Sequence, residues 1–208
     1  MSLWGDAHGA ATNKPKFLPQ DENSDYNRAD CYATQAGWVM QAGHPSSGNG
    51  NTSAAPEVLV ASGGLAGATD TTGLRAPTVT AMRFVKGTTA TTDLTAADST
   101  ARVLVEITWD EAVTVVGSPT VVVANNNASG GGFGNYTLVY TATGSTANRK
   151  RFTLTSQSLG NTDVLTLGGA DIVLAGGSTI SDTVRGGTSQ AASRVLSGIS
   201  AVAVTIAS

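Results

Sequence analysis

The sequence has little of the chemistry from which active sites are usually built. It holds one cysteine, two histidines, and only 13 % charged and 5 % aromatic residues. A single thiol cannot form an intrachain disulfide, so the fold must be stabilised by burial of apolar surface. A nucleophilic Cys31 would need His8 or His44 as its base, and both lie where there is little sign of a packed core, so we favour an unreactive thiol. We predict no catalytic residue, no metal site, no cofactor and no enzymatic activity.

Three further absences bear on partners and location. No apolar run approaches the ~20 residues that span a bilayer, and the first ten residues lack the basic and apolar regions of a signal peptide. A net charge of −3 and a pI near 5.2 provide no basic field for a phosphate backbone. We therefore expect neither membrane insertion nor nucleic-acid binding, and a chain that stays in the cytoplasm in which it is made.

The abundant residues are Thr, Ala, Gly, Val and Ser, a usage typical of β-rich proteins. The strongest periodic signal lies at residues 102–125 and predicts three strands. In the first, an alternation of period two places one set of side chains in the core and the other toward water. The predicted buried set is Val103, Val105, Ile107 and Trp109, and the predicted solvent-facing set is Arg102, Leu104, Glu106 and Thr108.

The chain changes character near residue 72. Residues 1–72 carry three basic and seven acidic residues and almost no periodicity, whereas residues 73–208 carry nine basic and eight acidic residues. We predict an extended, loop-rich N-terminal arm over residues 1–72, with short strands at 37–41 and 57–62. Its dispersed apolar residues cannot offset the entropy of ordering, so we expect the arm to order only against a partner, by pairing either strand with a neighbour's sheet edge. The candidate partner contacts are Trp4, Phe17, Trp38, Val58, Leu59 and Val60.

Residues 73–208 show alternation and turn signals at short intervals. Seven to nine short strands are expected, which predicts a mainly β protein with a C-terminal immunoglobulin-like β-sandwich carrying one or two long loops. One of these loops, NNNASGGGFG at residues 125–134, has the composition of a flexible hairpin tip.

One candidate metal site lies in the N-terminal segment. Asp21, Asn23 and Asp25 match the first three ligand positions of a calcium loop, but Tyr26 and Tyr32 stand where a glycine and a bidentate glutamate belong. We favour a solvated acidic turn.

Three other stretches could carry chemistry. Asp110 and Glu111 could supply paired carboxylates, yet adjacent residues at a strand end point to opposite faces, so we expect exposed turn charges. Arg149, Lys150 and Arg151 form a cationic cluster that could meet an acidic partner or a glycan, although the polar start of a strand is favoured. The glycine-rich GGGFG is followed by neither a Lys-Ser/Thr pair nor a helix, which argues against a phosphate cradle.

Two resemblances suggest a function. SLWGD at residues 2–6, NKPKFLP at 13–19, GWV at 37–39 and APEVLVASGGL at 55–65 resemble, in order and spacing, the N-terminal module of virion structural proteins of tailed phages that infect marine bacteria, notably cyanophages. VLVEITWDEAVTVVGSPTVVV at 103–123 and ADIVLAGGSTISD at 170–182 resemble bacterial and phage Ig-like repeats, although GGTSQAA replaces their usual Gly-Asn-x-Ala. The resemblance implies a structural role without catalytic residues, with SLWG, NKPKF, GWV and EVLV as contact elements.

Three hypotheses follow from the resemblance. The first is a non-enzymatic capsid-decorating, head-stabilising protein whose partners are the major capsid protein or other virion proteins, present as a homo-oligomer or as lattice-bound copies. The second is a neck, tail or fibre-associated structural protein. The third is a glycan-binding or adhesin-type module with a weak host-surface contact, ranked last because Phe133 is the only aromatic residue in the long tips. The expected location is the virion, assembled in the host cytoplasm.

Overall fold

The computed structural model describes residues 14–18, 28–45, 47, 49–66, 76–86, 89–91, 94–95, 103–130, 134–154, 159–182 and 189–207. Within these ranges the chain is mainly β, with one 3-10 turn at Arg28–Asp30 and no α-helix. The strands are β1 (Tyr32–Thr34), β2 (Gly37–Met40), β3 (Glu57–Ala61), β4 (Val79–Lys86), β5 (Thr89–Ala90), β6 (Leu94–Thr95), β7 (Val103–Trp109), β8 (Val113–Val116), β9 (Thr120–Asn125), β10 (Tyr136–Thr141), β11 (Arg149–Leu154), β12 (Val164–Leu167), β13 (Thr179–Asp182) and β14 (Val202–Ala207).

Nine strands form one sheet, here called the main sheet, in the order β5-β4-β7-β11-β10-β9-β12-β14-β6. Its neighbours are antiparallel except for the parallel pair β14–β6, and β8 and β13 form a separate antiparallel pair. Phe84 on β4 and Ile206 on β14 belong to the same buried apolar cluster although six positions separate their strands in the sheet. The main sheet therefore folds back over one core, as a sandwich or barrel does, which confirms the predicted mainly β class.

Strand β7 lies in the interior of the main sheet and is buried on both faces. Val103, Val105, Ile107 and Trp109 are each at most 1 % exposed, as the alternation predicted. The prediction that the alternate side chains face water is wrong for Glu106 and Thr108, which are both 2 % exposed. The reason is tertiary: charged side chains of the neighbouring strands and a segment from the N-terminal part of the chain cover this second face.

The described part of residues 1–72 forms a second sheet, here called the N-terminal sheet, in the order β1-β2-β3. Strands β2 and β3 confirm the two short strands predicted from the sequence, and they pair with each other. Because β2 is the central strand, both of its edges are occupied, whereas β3 is paired along only one edge within the described residues. This sheet covers its own apolar cluster of Leu18, Cys31, Ala33, Trp38, Met40 and Leu65.

The N-terminal sheet is bonded to the main domain through several short contacts. The backbone N–H of Ala33 donates to the carbonyl of Asp110 over 2.6 Å. From the segments that precede this sheet, the carbonyl of Ala29 accepts from Nδ2 of Asn148 over 3.3 Å, and Nζ of Lys14 donates to Oγ1 of Thr80 over 3.4 Å. The described part of the predicted arm is therefore packed on its own chain.

The loop after β9 is tied at its start by Asp163. Asp163 is completely buried and accepts hydrogen bonds from the backbone N–H groups of Ser129 (2.9 Å) and Gly160 (3.2 Å) and from Nδ2 of Asn125 (3.1 Å). These bonds fix residues 125–130 of the segment predicted to be a flexible tip, and residues 131–133 lie outside the described residues.

Candidate functional site

The register of three strands assembles a buried charged cluster on the second face of β7. Arg83 on β4 and Arg151 on β11 are the direct cross-strand partners of Glu106. Directly opposite residues in antiparallel strands present their side chains on the same face at close range. Glu106 therefore accepts from Nε of Arg83 (2.8 Å) and Nη2 of Arg151 (2.6 Å), and Nε of Arg149 lies 3.5 Å from its Oε2.

Arg149 extends this cluster to the N-terminal segment. Its guanidinium forms an ion pair with Asp30, which ends the 3-10 turn, and Asp30 also bonds Nε2 of His44 over 2.7 Å. The cationic cluster at residues 149–151 thus does begin a strand, as favoured, and also meets an acidic partner, which belongs to the same chain. Lys150 is 8 % exposed, and its burial lowers its pKa to about 8.

A partly open pocket of about 400 Å³ lies where the N-terminal sheet meets the main domain. One wall consists of residues 32–36, from β1 and the turn that follows it, and Glu111 and Asp182 supply the two carboxyl groups. Strand pairing brings these groups together, since Asp182 at the end of β13 pairs with Val113, two residues after Glu111. Half of the described lining residues are small and apolar: Ala33, Ala36, Pro56, Ala66 and Ala112.

Glu111 is the unusual group of this pocket. It is 5 % exposed, and among the described residues its Oε1 has no hydrogen-bond partner. Burial, followed by the negative charges of Asp110 and Asp182, raises the pKa of Glu111 to about 8. A buried acceptor without a partner costs about 1–3 kcal/mol, so a group of this kind needs an explanation.

Asp110, by contrast, is fully satisfied. It is completely buried and accepts from the backbone N–H of Thr78 (2.7 Å) and from its Oγ1 (2.6 Å). Burial raises the pKa of Asp110, and the two bonds from Thr78 act in the opposite direction. The expectation that Asp110 and Glu111 are exposed turn charges is therefore wrong, because strand β1 lies over them: Ala33 donates its N–H to the carbonyl of Asp110 and forms a parallel β-bridge with Glu111.

The turn at the pocket rim depends on one glycine. Gly37 has a φ of +131°, a conformation that residues with a Cβ rarely adopt, and a Cβ there would lie 2.6 Å from the backbone nitrogen of Ser62. Ser62 in turn donates its N–H to the carbonyl of Ala36 over 3.0 Å. A side chain at position 37 would push β2 away from residues 60–62, which lie against this glycine.

The predicted partner contacts are distributed unequally. Phe17 is 69 % exposed and Val58 is 47 % exposed, while Trp38 is 4 % exposed inside the cluster of its own sheet. Leu59 and Val60 are half-buried and pack against that cluster, with Leu59 at a β-bulge opposite Trp38 and Val39. Trp4 and the predicted acidic turn at residues 21–25 lie outside the described residues.

Cys31 and His44 do not form a nucleophile and base. Cys31 is completely buried, and desolvation raises its pKa to about 12, so a thiolate does not form near neutral pH. His44 is bonded to Asp30 instead. Within the described ranges no group of three or more His, Cys, Asp or Glu side chains could hold a metal ion.

Comparisons with known proteins leave the family open. No protein-family model, curated protein or solved structure matches this chain. In the part of the chain that the structure describes, no helix has the length and apolar character needed to cross a membrane.

Proposed function

We propose that this protein is a non-enzymatic structural component of a tailed-phage particle, and specifically a capsid-decorating protein. The proposal starts from the phage-like motifs of residues 1–72. The single structural observation that carries it is the exposure of Phe17 and Val58, which belong to the motifs NKPKF and EVLV, beside a cluster in which other apolar residues of the same segment are buried. Exposed aromatic and aliphatic side chains of this kind are typical of contact surfaces between proteins.

We propose that Phe17, Val58 and the open edge of β3 together form the contact with the particle, here called the attachment surface. In the proposed arrangement this surface contacts the major capsid protein or another virion protein, and the rest of the chain, residues 73–208, is an Ig-like sandwich on the particle surface. The buried ion pair of Arg149 with Asp30 supports a fixed orientation of the N-terminal segment relative to residues 73–208, because removing either charge from the other would leave an uncompensated buried charge. The N-terminal segment would then hold the sandwich at a set angle to the lattice.

Binding to emptied heads of the protein's own phage tests the attachment surface. The double variant Phe17→Ser/Val58→Ser is expected to bind at least about tenfold more weakly, because each truncation removes apolar area from the contact. Val173→Ser is the matched control, since Val173 is 50 % exposed on the main domain. A double variant that binds as tightly as the unmodified protein would contradict the proposal.

Copy number separates a decorating protein from a neck, tail or fibre protein. A head lattice requires on the order of hundreds of copies, whereas neck and tail symmetries give small multiples of about three, six or twelve. Quantitative mass spectrometry of purified particles, scaled to the major capsid protein, measures this ratio. A ratio near a dozen per particle would exclude decoration and favour the neck or tail, and absence from purified particles would contradict both.

A further inference from the structure

The pocket between the two sheets has features of a built binding site. Its volume of about 400 Å³ falls within the range of roughly 300–1,000 Å³ found for small-molecule sites. Two carboxyl groups, those of Glu111 and Asp182, converge on it. A second observation concerns hydrogen bonding and not charge. Glu111 is only 5 % exposed, and its Oε1 finds no hydrogen-bond partner among the described residues. A ligand with a hydrogen-bond donor would satisfy this atom.

The charge of the pocket indicates a cation. The charges that act on Glu111 are those of Asp110 and Asp182, both acidic. Asp110 already receives two bonds from Thr78, and Asp182 receives one from the backbone N–H of Gln190 over 2.7 Å. Of the two carboxyl groups in the pocket, Glu111 is thus the one with an open acceptor oxygen.

The apolar half of the lining selects among cations. Calcium takes about six to eight oxygen ligands and magnesium keeps several waters, so both favour a wall of oxygen atoms. Here five of the ten described lining residues contribute only small apolar side chains. An alkylammonium ion matches both halves, because its head has three N–H donors and its aliphatic chain gains from contact with apolar surface.

We propose that this pocket binds a primary alkylammonium group, with Glu111 and Asp182 accepting from the ammonium head and the small apolar residues contacting the aliphatic chain. The group can come from a lysine side chain of another protein or from a free alkylamine. This inference goes beyond the proposed function and does not depend on it, since neither Phe17 nor Val58 is among the described residues that line the pocket.

The test is a titration of the full-length protein with n-butylamine at pH 7, followed by NMR through the ¹³C signal of the Glu111 carboxyl group. Saturable binding is expected, together with a lower pKa of Glu111, because the ammonium stabilises the charged carboxylate. Glu111→Gln and Asp182→Asn should each weaken binding at least about tenfold, the typical effect of losing a hydrogen bond to a charged group. Asp171→Asn, an exposed acid outside the pocket, should leave it unchanged.

Three further ligands test which chemical groups the pocket recognises. Binding of 1-butanol as tight as that of n-butylamine would overturn the proposal, because an apolar cavity alone would then be sufficient. Calcium chloride that binds the protein, and no longer binds Glu111→Gln, would replace it with a metal site. Binding of Nα-acetyl-lysine N-methylamide would support a protein lysine as the source, and binding of n-butylamine alone would support a free amine.

Discussion

Arg149 on β11 and Asp30 in the N-terminal 3-10 turn form an ion pair in which the two side chains are only 11 % and 7 % exposed. Asp30 also holds His44, and Arg149 also contacts Glu106, so the pair joins the N-terminal segment to the interior of the main sheet. Glu106 is surrounded by three guanidinium groups, and Asp30 supplies a second negative charge next to one of them. The two parts of the chain are thus coupled by charge in a region with little access to water.

Substitution of Asp30 should uncouple the N-terminal sheet. In Asp30→Asn the buried guanidinium of Arg149 loses the negative charge beside it. We therefore expect the free energy of unfolding to fall by about 3 kcal/mol. Urea unfolding measures this loss, and hydrogen exchange should show faster exchange of the amides of β1 to β3. A double-mutant cycle with Arg149→Gln should give a coupling energy of about 1–3 kcal/mol, and additive single effects would show that the pair is not coupled.

The strands were predictable because their signal is local. The alternation at residues 103–109 and the β-branched run at 120–124 report which side chains share a face, and the structure confirms β7 and β9. The same holds for β2 and β3, whose short apolar runs lie between turn residues. The Ig-like topology of residues 73–208 stays a prediction.

The charged interior could not be predicted in the same way. Period two indicates two faces of β7, but it does not indicate that a segment far away in sequence covers the second one. One signal was present, namely Glu106 between two apolar neighbours and a later Arg-Lys-Arg run of opposite charge. For Glu111 no such signal exists, since its burial depends on the position of Ala33 from another sheet.

The raised pKa of Glu111 predicts an unusual dependence of stability on pH. The folded state holds the proton up to a pKa of about 8, while the unfolded chain loses it near 4.5. The stabilisation that comes from tighter proton binding by Glu111 in the folded state is fully present below pH 4.5. It declines as the pH rises between these two values and is lost above about pH 8. Glu111→Gln cannot ionise, so at pH 8.5 its Tm should exceed that of the unmodified protein by roughly 3–6 °C, with little difference at pH 4.5.

The quantity to compare is the difference in Tm between Glu111→Gln and the unmodified protein at each pH. Lys150 also has a pKa of about 8, but it titrates in both proteins, so its contribution cancels in this difference. Differential scanning calorimetry from pH 4.5 to 9 supplies the curves. Glu57→Gln, on β3, provides a control that removes one negative charge from the N-terminal sheet. Parallel curves for Glu111→Gln and the unmodified protein would show that Glu111 ionises normally in the folded state.

The contribution of Asp163 to stability should depend on pH in the opposite direction. Hydrogen bonds, the largest effect coming from the backbone N–H of Ser129, lower its pKa in the folded state, and its stabilisation is present above the unfolded pKa near 3.9 and lost as pH falls through the folded value. Asp163→Asn replaces one acceptor oxygen by a donor that faces other donors. We expect a loss of about 1–3 kcal/mol at pH 7 and faster exchange of the Ser129 amide.

Asp171→Asn is the matched control for this prediction. Asp171 also accepts a backbone N–H, that of Leu196 over 3.0 Å, but it is exposed to solvent, so its substitution should cost less than about 1 kcal/mol. The deficit of Asp163→Asn should shrink toward pH 2, where the native carboxyl group itself becomes protonated. Equal losses for the two variants, or a deficit that does not change with pH, would show that the charge of Asp163 does not hold the loop at residues 125–130.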